Sequence, residues 1–122
     1  MKTVIIMGST SDEGHAKKIT DKLDAYGIQW EQHAASAHKE PRKVLDILDS
    51  NKNEIDLVVY ITIAGRSNAL SGFVAANSEY PTLACPPFLI RPICWLISIP
   101  HSRCLAIHLY LLCLTREIVP WQ

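Results

Sequence analysis

An uninterrupted run of apolar and β-branched residues, LVVYITI at positions 57–63, breaks at Gly65 into a short polar turn. Such a run is typical of a parallel strand that is buried on both faces. Apolar residues then recur at helical spacing over residues 69–76, so Ser67 or Asn68 is well placed to cap a helix. The turn is therefore predicted at the carboxyl end of a parallel strand beside a helix N-terminus, where open α/β sheets bind anionic ligands.

Two similar units of strand, turn and helix precede this one. Residues 2–7 predict a short buried strand, and the GSTSD turn after it offers Ser11 or Asp12 as the cap of a first helix. Residues 28–35 alternate loosely as a second strand. The SAHKEP turn then leads into a second helix, with Pro41 suited to the first helical position.

A short fourth strand is predicted at residues 82–85, just before two prolines. The resulting β-α-β-α-β-α-β order has connections long enough for helices. It predicts a three-layer α/β fold of the flavodoxin or Rossmann type, in which a parallel sheet with right-handed crossovers carries helices on both faces. In that fold the three strand-to-helix turns meet at one edge of the sheet.

The three turns carry groups that suit a phosphorylated sugar or a nucleotide. Their serines and helix N-terminal N–H groups can bind phosphate, Asp12 can bind ribose hydroxyls, and His38 can transfer a proton. Neither of the first two turns has the GxGxxG or the Walker pattern. The named dinucleotide and nucleoside triphosphate motifs are therefore absent.

Charge, length and cysteine spacing argue against several classes of protein. The 122 residues have room for one domain, and 12 basic residues balance 12 acidic ones, so no global basic field favours nucleic acid or an anionic membrane surface. The four cysteines lie nine, ten and nine residues apart, which argues against a zinc site and a disulfide framework. The N-terminus lacks the features of a secretory signal, which indicates a cytoplasmic protein.

Four motifs follow one another along the chain: GSTSD with GHAKKI after it, SAHK, AGRSNALSG and the CPP exit. Together they resemble the aminoimidazole ribonucleotide carboxylase family of de novo purine synthesis, over residues 1–87. The turn AGRSN is similar to that of class II members, which carboxylate aminoimidazole ribonucleotide directly with carbon dioxide to carboxyaminoimidazole ribonucleotide. Class I members are N5-carboxyaminoimidazole ribonucleotide mutases, and they usually have a glycine-rich turn with a histidine there.

The resemblance implies a role for each matching residue. His38 would be the proton-transfer group at the imidazole carbon. The substrate would be held by Ser9, Ser11 and Asp12 at its ribose and phosphate end, by Ser36 and Lys39 at the phosphate, and by Gly65, Arg66, Ser67 and Asn68 around the ring and carboxylate. No metal or organic cofactor is implied, nor any nucleic acid or membrane partner. The family forms a homo-oligomer whose active sites lie between subunits.

Each functional interpretation has a structural alternative. On its own His38 would more often serve in a turn or a cap, but its place between Ser36 and Lys39 favours catalysis, because an imidazole titrates near neutral pH and can remove the ring proton. Asp12 is equally an N-cap and a ligand, and it can be both. Lys39 and Arg66, taken singly, would be solvated surface charges.

Two further histidines and a tryptophan are assigned structural roles. His15 lies one helical turn after Ser11, which favours a structural or supporting role rather than a catalytic one. His33 in the second strand and the nearby Trp30 are predicted to pack or to face solvent. His38 therefore remains the histidine assigned to proton transfer.

Residues 88–122 do not resemble the family. They contain no Gly, Asp, Asn or Lys, yet they hold three of the four cysteines and two of the three tryptophans. The cleanest apolar piece, residues 104–114, is too short to span a membrane.

The family continues instead with a serine-aspartate loop and a segment resembling DIYSSLxMPS. Reading the codons one base earlier from Phe88 onward permits nearly all of that segment, with two mismatches. We therefore predict that residues 88–122 are an out-of-frame tail and that the C-terminal part of the fold is truncated or aberrant.

This tail has a consequence for activity. In the family, the missing part supplies further sheet and helix and helps to build the oligomer, so its loss would expose apolar surface and a strand edge. The sequence therefore predicts poor solubility and little or no carboxylase activity for this chain. The alternatives are the class I mutase reaction on the same fold, a non-catalytic flavodoxin-like module that binds a phosphorylated ligand, or a defective gene product.

Overall fold

The structure, a computed structural model, describes residues 1–65 and 69–87 together with the backbone of residues 95–98. Over these residues, strands and helices alternate as β1 Lys2–Met7, α1 Glu13–Ala25, β2 Gln29–Ala34, α2 Pro41–Asn51, β3 Val58–Ile63, α3 Ala69–Asn77, β4 Thr82–Ala84 and β5 Trp95–Ser98. A 3-10 turn, Thr10–Asp12, precedes α1. The predicted order of strands and helices through β4 is confirmed.

The strands form one sheet in the order β2-β1-β3-β4-β5. The strands β1 to β4 are parallel, and the register pairs Met7 with both Ala34 of β2 and Ile63 of β3. The fifth strand, which lies in the predicted out-of-frame tail, was not expected, and it runs antiparallel to β4. Residues 85–94 are a short link for a parallel crossover, which needs about a dozen or more residues, so an antiparallel neighbour suits the length available.

Both faces of the sheet are covered by helices, as predicted. On one face the α1 residues Ala16, Ile19 and Leu23 pack with sheet residues that include Ile5 and Ile61. On the other face the apolar residues of α2 and α3 pack with Val4, Ile6, Val58 and Tyr60. The alternation of β1 between the two clusters follows from the two-residue period of a strand. The predicted three-layer α/β architecture is therefore confirmed.

The cysteine prediction needs a correction. Cys85 is 1% exposed at the end of β4, and its sulfur is disulfide-bonded. Sequence spacing argued against a disulfide framework, but pairing depends on which cysteines the folded chain brings together rather than on their separation along it. The other three cysteines lie outside the described residues.

For Trp30 the sequence predicts either packing or a position that faces solvent. Trp30 is partly buried against the α1 face, and its Nε1–H donates to Asp24 Oδ1 at 2.8 Å. Of the two predicted alternatives, packing and facing solvent, the structure shows packing for part of this side chain. Within residues 1–65 and 69–87 no helix combines the length and the apolar character that crossing a membrane requires.

A network of charged and polar side chains lies where β1 and β2 approach the end of α2. Lys2 Nζ is 3.0 Å from Glu31 Oε2 and donates to Asn51 Oδ1 at 2.8 Å. Lys2 Nζ also lies 3.2 Å from Glu54 Oε1. Glu31 Oε1 accepts hydrogen bonds from Asn51 Nδ2 and His33 Nε2, each at 3.1 Å. Burial alone would raise the pKa of Glu31, but the hydrogen bonds from His33, Lys2 and Asn51 outweigh it and lower that pKa to about 2.

Replacing Glu31 with Gln is expected to lower the free energy of unfolding at pH 7 by about 1–2 kcal/mol, a value reduced for screening because a third of the side chain is exposed. Because the folded-state pKa of Glu31 is depressed, its contribution is present above the unfolded pKa and is lost as the pH falls from about 4.5 to about 2. Urea unfolding at pH 7 and pH 3 measures both effects. Glu54→Gln, which removes one contact, is the control and should cost less. Equal pH dependence in Glu31→Gln and the unsubstituted chain would contradict the prediction.

Candidate active site

The three strand-to-helix turns begin beside one another, because β1, β2 and β3 end at the same edge of the sheet. Gly8 N donates to Ile63 O, Ala35 N donates to Met7 O, and Cys85 N donates to Thr62 O, each at 2.8 Å. Because β1 lies between β2 and β3, the first turn is flanked by the other two, and neighbouring turns begin about 5 Å apart. The structure therefore brings the three predicted turns to the same edge.

The first turn is held by its own serines. Ser9 is extended, with φ −152° and ψ 150°, and its Oγ accepts from Ser11 N at 3.2 Å and from the Ser11 hydroxyl at 2.9 Å. Both serines are exposed. Because the Ser9 Oγ is the acceptor in both of these bonds, its own hydrogen can be donated to a ligand.

Asp12 occupies the N-cap position of α1, but its side chain makes no capping hydrogen bond. The prediction that Ser11 or Asp12 caps the helix is therefore right about the position of Asp12, but the capping hydrogen bond is not made. The 3-10 turn, in which Asp12 N donates to Ser9 O at 3.1 Å and Glu13 N donates to Thr10 O, holds Asp12 at φ −88° and ψ 1°. That conformation differs from the extended one usual for an N-cap residue whose side chain accepts from the second or third helical N–H. The carboxylate of Asp12 is therefore left for another partner.

The second turn is closed by Ser36. Its Oγ accepts from Lys39 N at 3.2 Å, and its carbonyl accepts from Glu40 N at 2.8 Å, after which α2 begins at Pro41 as predicted. His38 and Lys39 are exposed, and among the described residues their side chains make no hydrogen bond or ion pair. The capping alternative for His38 therefore gains no supporting contact.

The third turn is described only at its start. Ala64 is half-buried and Gly65 is exposed. A Cβ built on Gly65 would lie 3.7 Å from Pro87 Cγ, an ordinary contact, so the loop after β4 lies directly against this turn. Arg66, Ser67 and Asn68 lie outside the described residues, and their predicted roles stay predictions.

The loop after β4 is also tied to α1. His15, on the first turn of α1, places its Nε2 3.1 Å from the carbonyl oxygen of Cys85. Burial lowers the pKa of His15, although the hydrogen bond to that carbonyl acts in the opposite direction. Sequence reasoning gave His15 a supporting role but could not identify the partner, because the two residues are 70 positions apart.

The groups gathered at this edge are hydroxyls, a carboxylate, an imidazole and an ammonium group. Within residues 1–65 and 69–87, no group of three or more His, Cys, Asp and Glu side chains is arranged to hold a metal ion. Hydroxyl and N–H donors with a lysine suit a phosphate, and an exposed imidazole suits proton transfer. The fold and this edge define an α/β protein whose parallel strands end in turns with groups suited to a small anionic ligand.

The sequence of this chain is similar to those of one family of known proteins. The model of the family described as AIR carboxylase matches residues 2–99. The phosphoribosylaminoimidazole carboxylase of Archaeoglobus fulgidus is 54% identical over 88 residues, which are 72% of this chain and 48% of that protein. The Treponema denticola protein of the same name is 48% identical over 84 residues, 69% of this chain and 53% of that protein. The chain therefore belongs to the AIR carboxylase family.

The solved structures agree with the sequence matches. The crystal structure of Treponema denticola PurE superimposes with a TM-score of 0.71 at 34% sequence identity, over 96% of this chain and 86% of that chain. The chain spans about half the length of the curated relatives it matches. The family model extends to residue 99, past the predicted end of the resemblance at residue 87, whereas those two alignments cover 88 and 84 residues. A boundary at residue 87 stays a prediction.

Proposed function

We propose that the fold carries class II carboxylase chemistry in de novo purine biosynthesis. It would join carbon dioxide to aminoimidazole ribonucleotide to form carboxyaminoimidazole ribonucleotide. The observation that carries the proposal is that the three turns with the family motifs begin side by side, at the carboxyl ends of neighbouring parallel strands. Membership of the AIR carboxylase family supports it. Because the tail departs from the family pattern, we also propose that the 122-residue chain is poorly soluble and has little or no activity.

The first two turns would bind the phosphoribosyl part of the substrate. Ser9 can donate its hydroxyl hydrogen, because its Oγ is the acceptor in both of its bonds with Ser11. Ser36 is placed alike, since its Oγ accepts from Lys39 N. Two hydroxyl donors and the ammonium group of Lys39 would thus face the phosphate, and the uncapped carboxylate of Asp12 would accept from ribose hydroxyls.

The chemistry needs one base and no covalent intermediate. An aminoimidazole is enamine-like, so its ring carbon attacks the carbon of CO2, a carbon–carbon bond forms, and electrons move onto a carboxylate oxygen. The same ring carbon must then lose its hydrogen as a proton to restore the aromatic ring. His38 would accept that proton. Gly65, Arg66, Ser67 and Asn68 would close over the ring and carboxylate.

Three other proposals accompany this function. The substrate would be a small phosphoribosyl compound used together with CO2, and the fold would work as a homo-oligomer, whose assembly the altered tail would disrupt. The class I mutase reaction is the second candidate, and the turn AGRSN, which is similar to the class II form, favours the carboxylase over it. A cytoplasmic location stays a prediction.

Isotopic labelling separates the two reactions. The test uses the frame-restored chain, in which one base inserted near codon 88 moves the following codons into the other frame. Incubation with ¹³C-bicarbonate and aminoimidazole ribonucleotide, without any carboxylated precursor, should place the label in the product carboxylate. Product formed only from N5-carboxyaminoimidazole ribonucleotide would identify the mutase instead. No product from either substrate would overturn the proposed function.

A further inference from the structure

One hydrogen bond joins the first turn of α1 to the loop after β4. The Nε2 atom of His15 lies 3.1 Å from the carbonyl oxygen of Cys85, and the two residues are 70 positions apart. A carbonyl oxygen only accepts hydrogen bonds, so Nε2 must carry the hydrogen. Burial lowers the pKa of His15, so the neutral imidazole with its hydrogen on Nε2 dominates at neutral pH.

Cys85 is the first residue of the loop after β4, and both its N–H group and its carbonyl oxygen are hydrogen-bonded. The N–H of Cys85 donates to Thr62 O of β3 at 2.8 Å, and its carbonyl accepts from His15. Two residues further on, Pro87 Cγ lies 3.7 Å from the position of a Cβ on Gly65. The contact from α1 therefore reaches, through the short Cys85-Pro86-Pro87 segment, the start of the third turn.

We propose that His15 is a positioning residue that sets the separation between the first turn and Gly65, the described start of the third turn. This inference rests on the proposed function, in which the first turn holds the phosphoribosyl end of the substrate and Gly65 lies beside its ring. His15 itself would touch neither end. Its loss would release the loop after β4 from α1 while the β3 contact of that loop remains. A ligand that spans both turns would be affected more than one that reaches only the first two.

Two ligands measure this difference by calorimetric titration of the frame-restored chain, which keeps His15, Cys85 and the three turns. Ribose 5-phosphate lacks the ring, and aminoimidazole ribonucleotide has it. His15→Met fills the space without a donor and should weaken the nucleotide about tenfold, the size expected for one lost hydrogen bond, while ribose 5-phosphate changes less than about twofold. His15→Gln, whose amide nitrogen can take the place of Nε2, should restore the affinity for the nucleotide. Lys17→Met removes an exposed ion pair with Asp21 on the same helix and should leave both affinities unchanged.

The possible results are distinct. Equal weakening of both ligands by His15→Met, or unchanged binding of both, would overturn the positioning role. Failure of the unsubstituted chain to bind either ligand would overturn the proposed function of the site and this inference with it. Histidine ¹⁵N spectra of the unsubstituted chain need no substitution, so a variant that fails to fold cannot affect this measurement. They should show the hydrogen of His15 on Nε2, and a hydrogen on Nδ1 alone would overturn the inference.

Discussion

Restoring the reading frame near codon 88 is expected to raise the rate of aminoimidazole ribonucleotide carboxylation by about a hundredfold or more, because misplacing a site by about 1 Å already costs that much. The sheet edge at β4 gives the physical reason. In this chain that edge is paired with the antiparallel strand Trp95–Ser98, which belongs to the predicted out-of-frame tail. In the restored chain, the family pattern predicts further sheet and helix there, and with them the oligomer that completes each site.

The comparison needs both chains, purified in the same way. Carboxylation is measured with bicarbonate and no carboxylated precursor, and mass in solution is measured by analytical ultracentrifugation. The restored chain should form a defined oligomer and turn over, whereas the 122-residue chain should aggregate and show little or no turnover. A third chain, returned to the original frame by deletion of one base just after the inserted one, is the control. Turnover by the 122-residue chain at the restored rate would contradict the prediction, as would coding DNA whose other frame lacks the DIYSSL run.

Strands that are buried and bounded by polar turns could be predicted closely from the sequence. β1 has the predicted bounds, Lys2–Met7, and β3 begins one residue later than predicted, at Val58. Burial of every residue of β3 explains why its apolar run was so clear a signal. β5 could not be predicted, because it lies in a nearly continuous apolar stretch with no period of its own, and its pairing with β4 depends on a tertiary contact.

The candidate site was predictable for a different reason. Parallel strands that alternate with helices must leave their turns on one edge, so order alone placed Ser9, Ser36 and Gly65 near one another. Local hydrogen bonding was less predictable, since a 3-10 turn capped by Ser9 leads into α1 and Asp12 makes no capping bond through its side chain. The bond between His15 and Cys85 has no local signal at all, because it depends on where α1 lies against the loop after β4.

Replacing His38 with Asn in the frame-restored chain is expected to lower kcat about 10²- to 10⁴-fold, the range found when a general base is lost. Aminoimidazole ribonucleotide should still bind, because the proposed contacts to its phosphate come from Ser9, Ser36 and Lys39. The exposed imidazole of His38 makes no hydrogen bond with the described residues, so its removal should not change the fold. Single-turnover kinetics and calorimetric titration measure the two effects separately.

The matched control for this variant is His33→Asn on β2, the strand that precedes the turn with His38. His33 donates to Glu31 Oε1 at 3.1 Å in the network that joins β2 to α2, so its loss should affect stability and leave kcat unchanged. If His38→Asn keeps full turnover, the proton has another acceptor and the assignment of His38 is wrong. If it loses binding together with turnover, the imidazole holds the turn rather than taking the proton. Only a loss of turnover with binding retained supports the role of His38 as the base, because that pattern separates proton transfer from the shape of the turn that presents it.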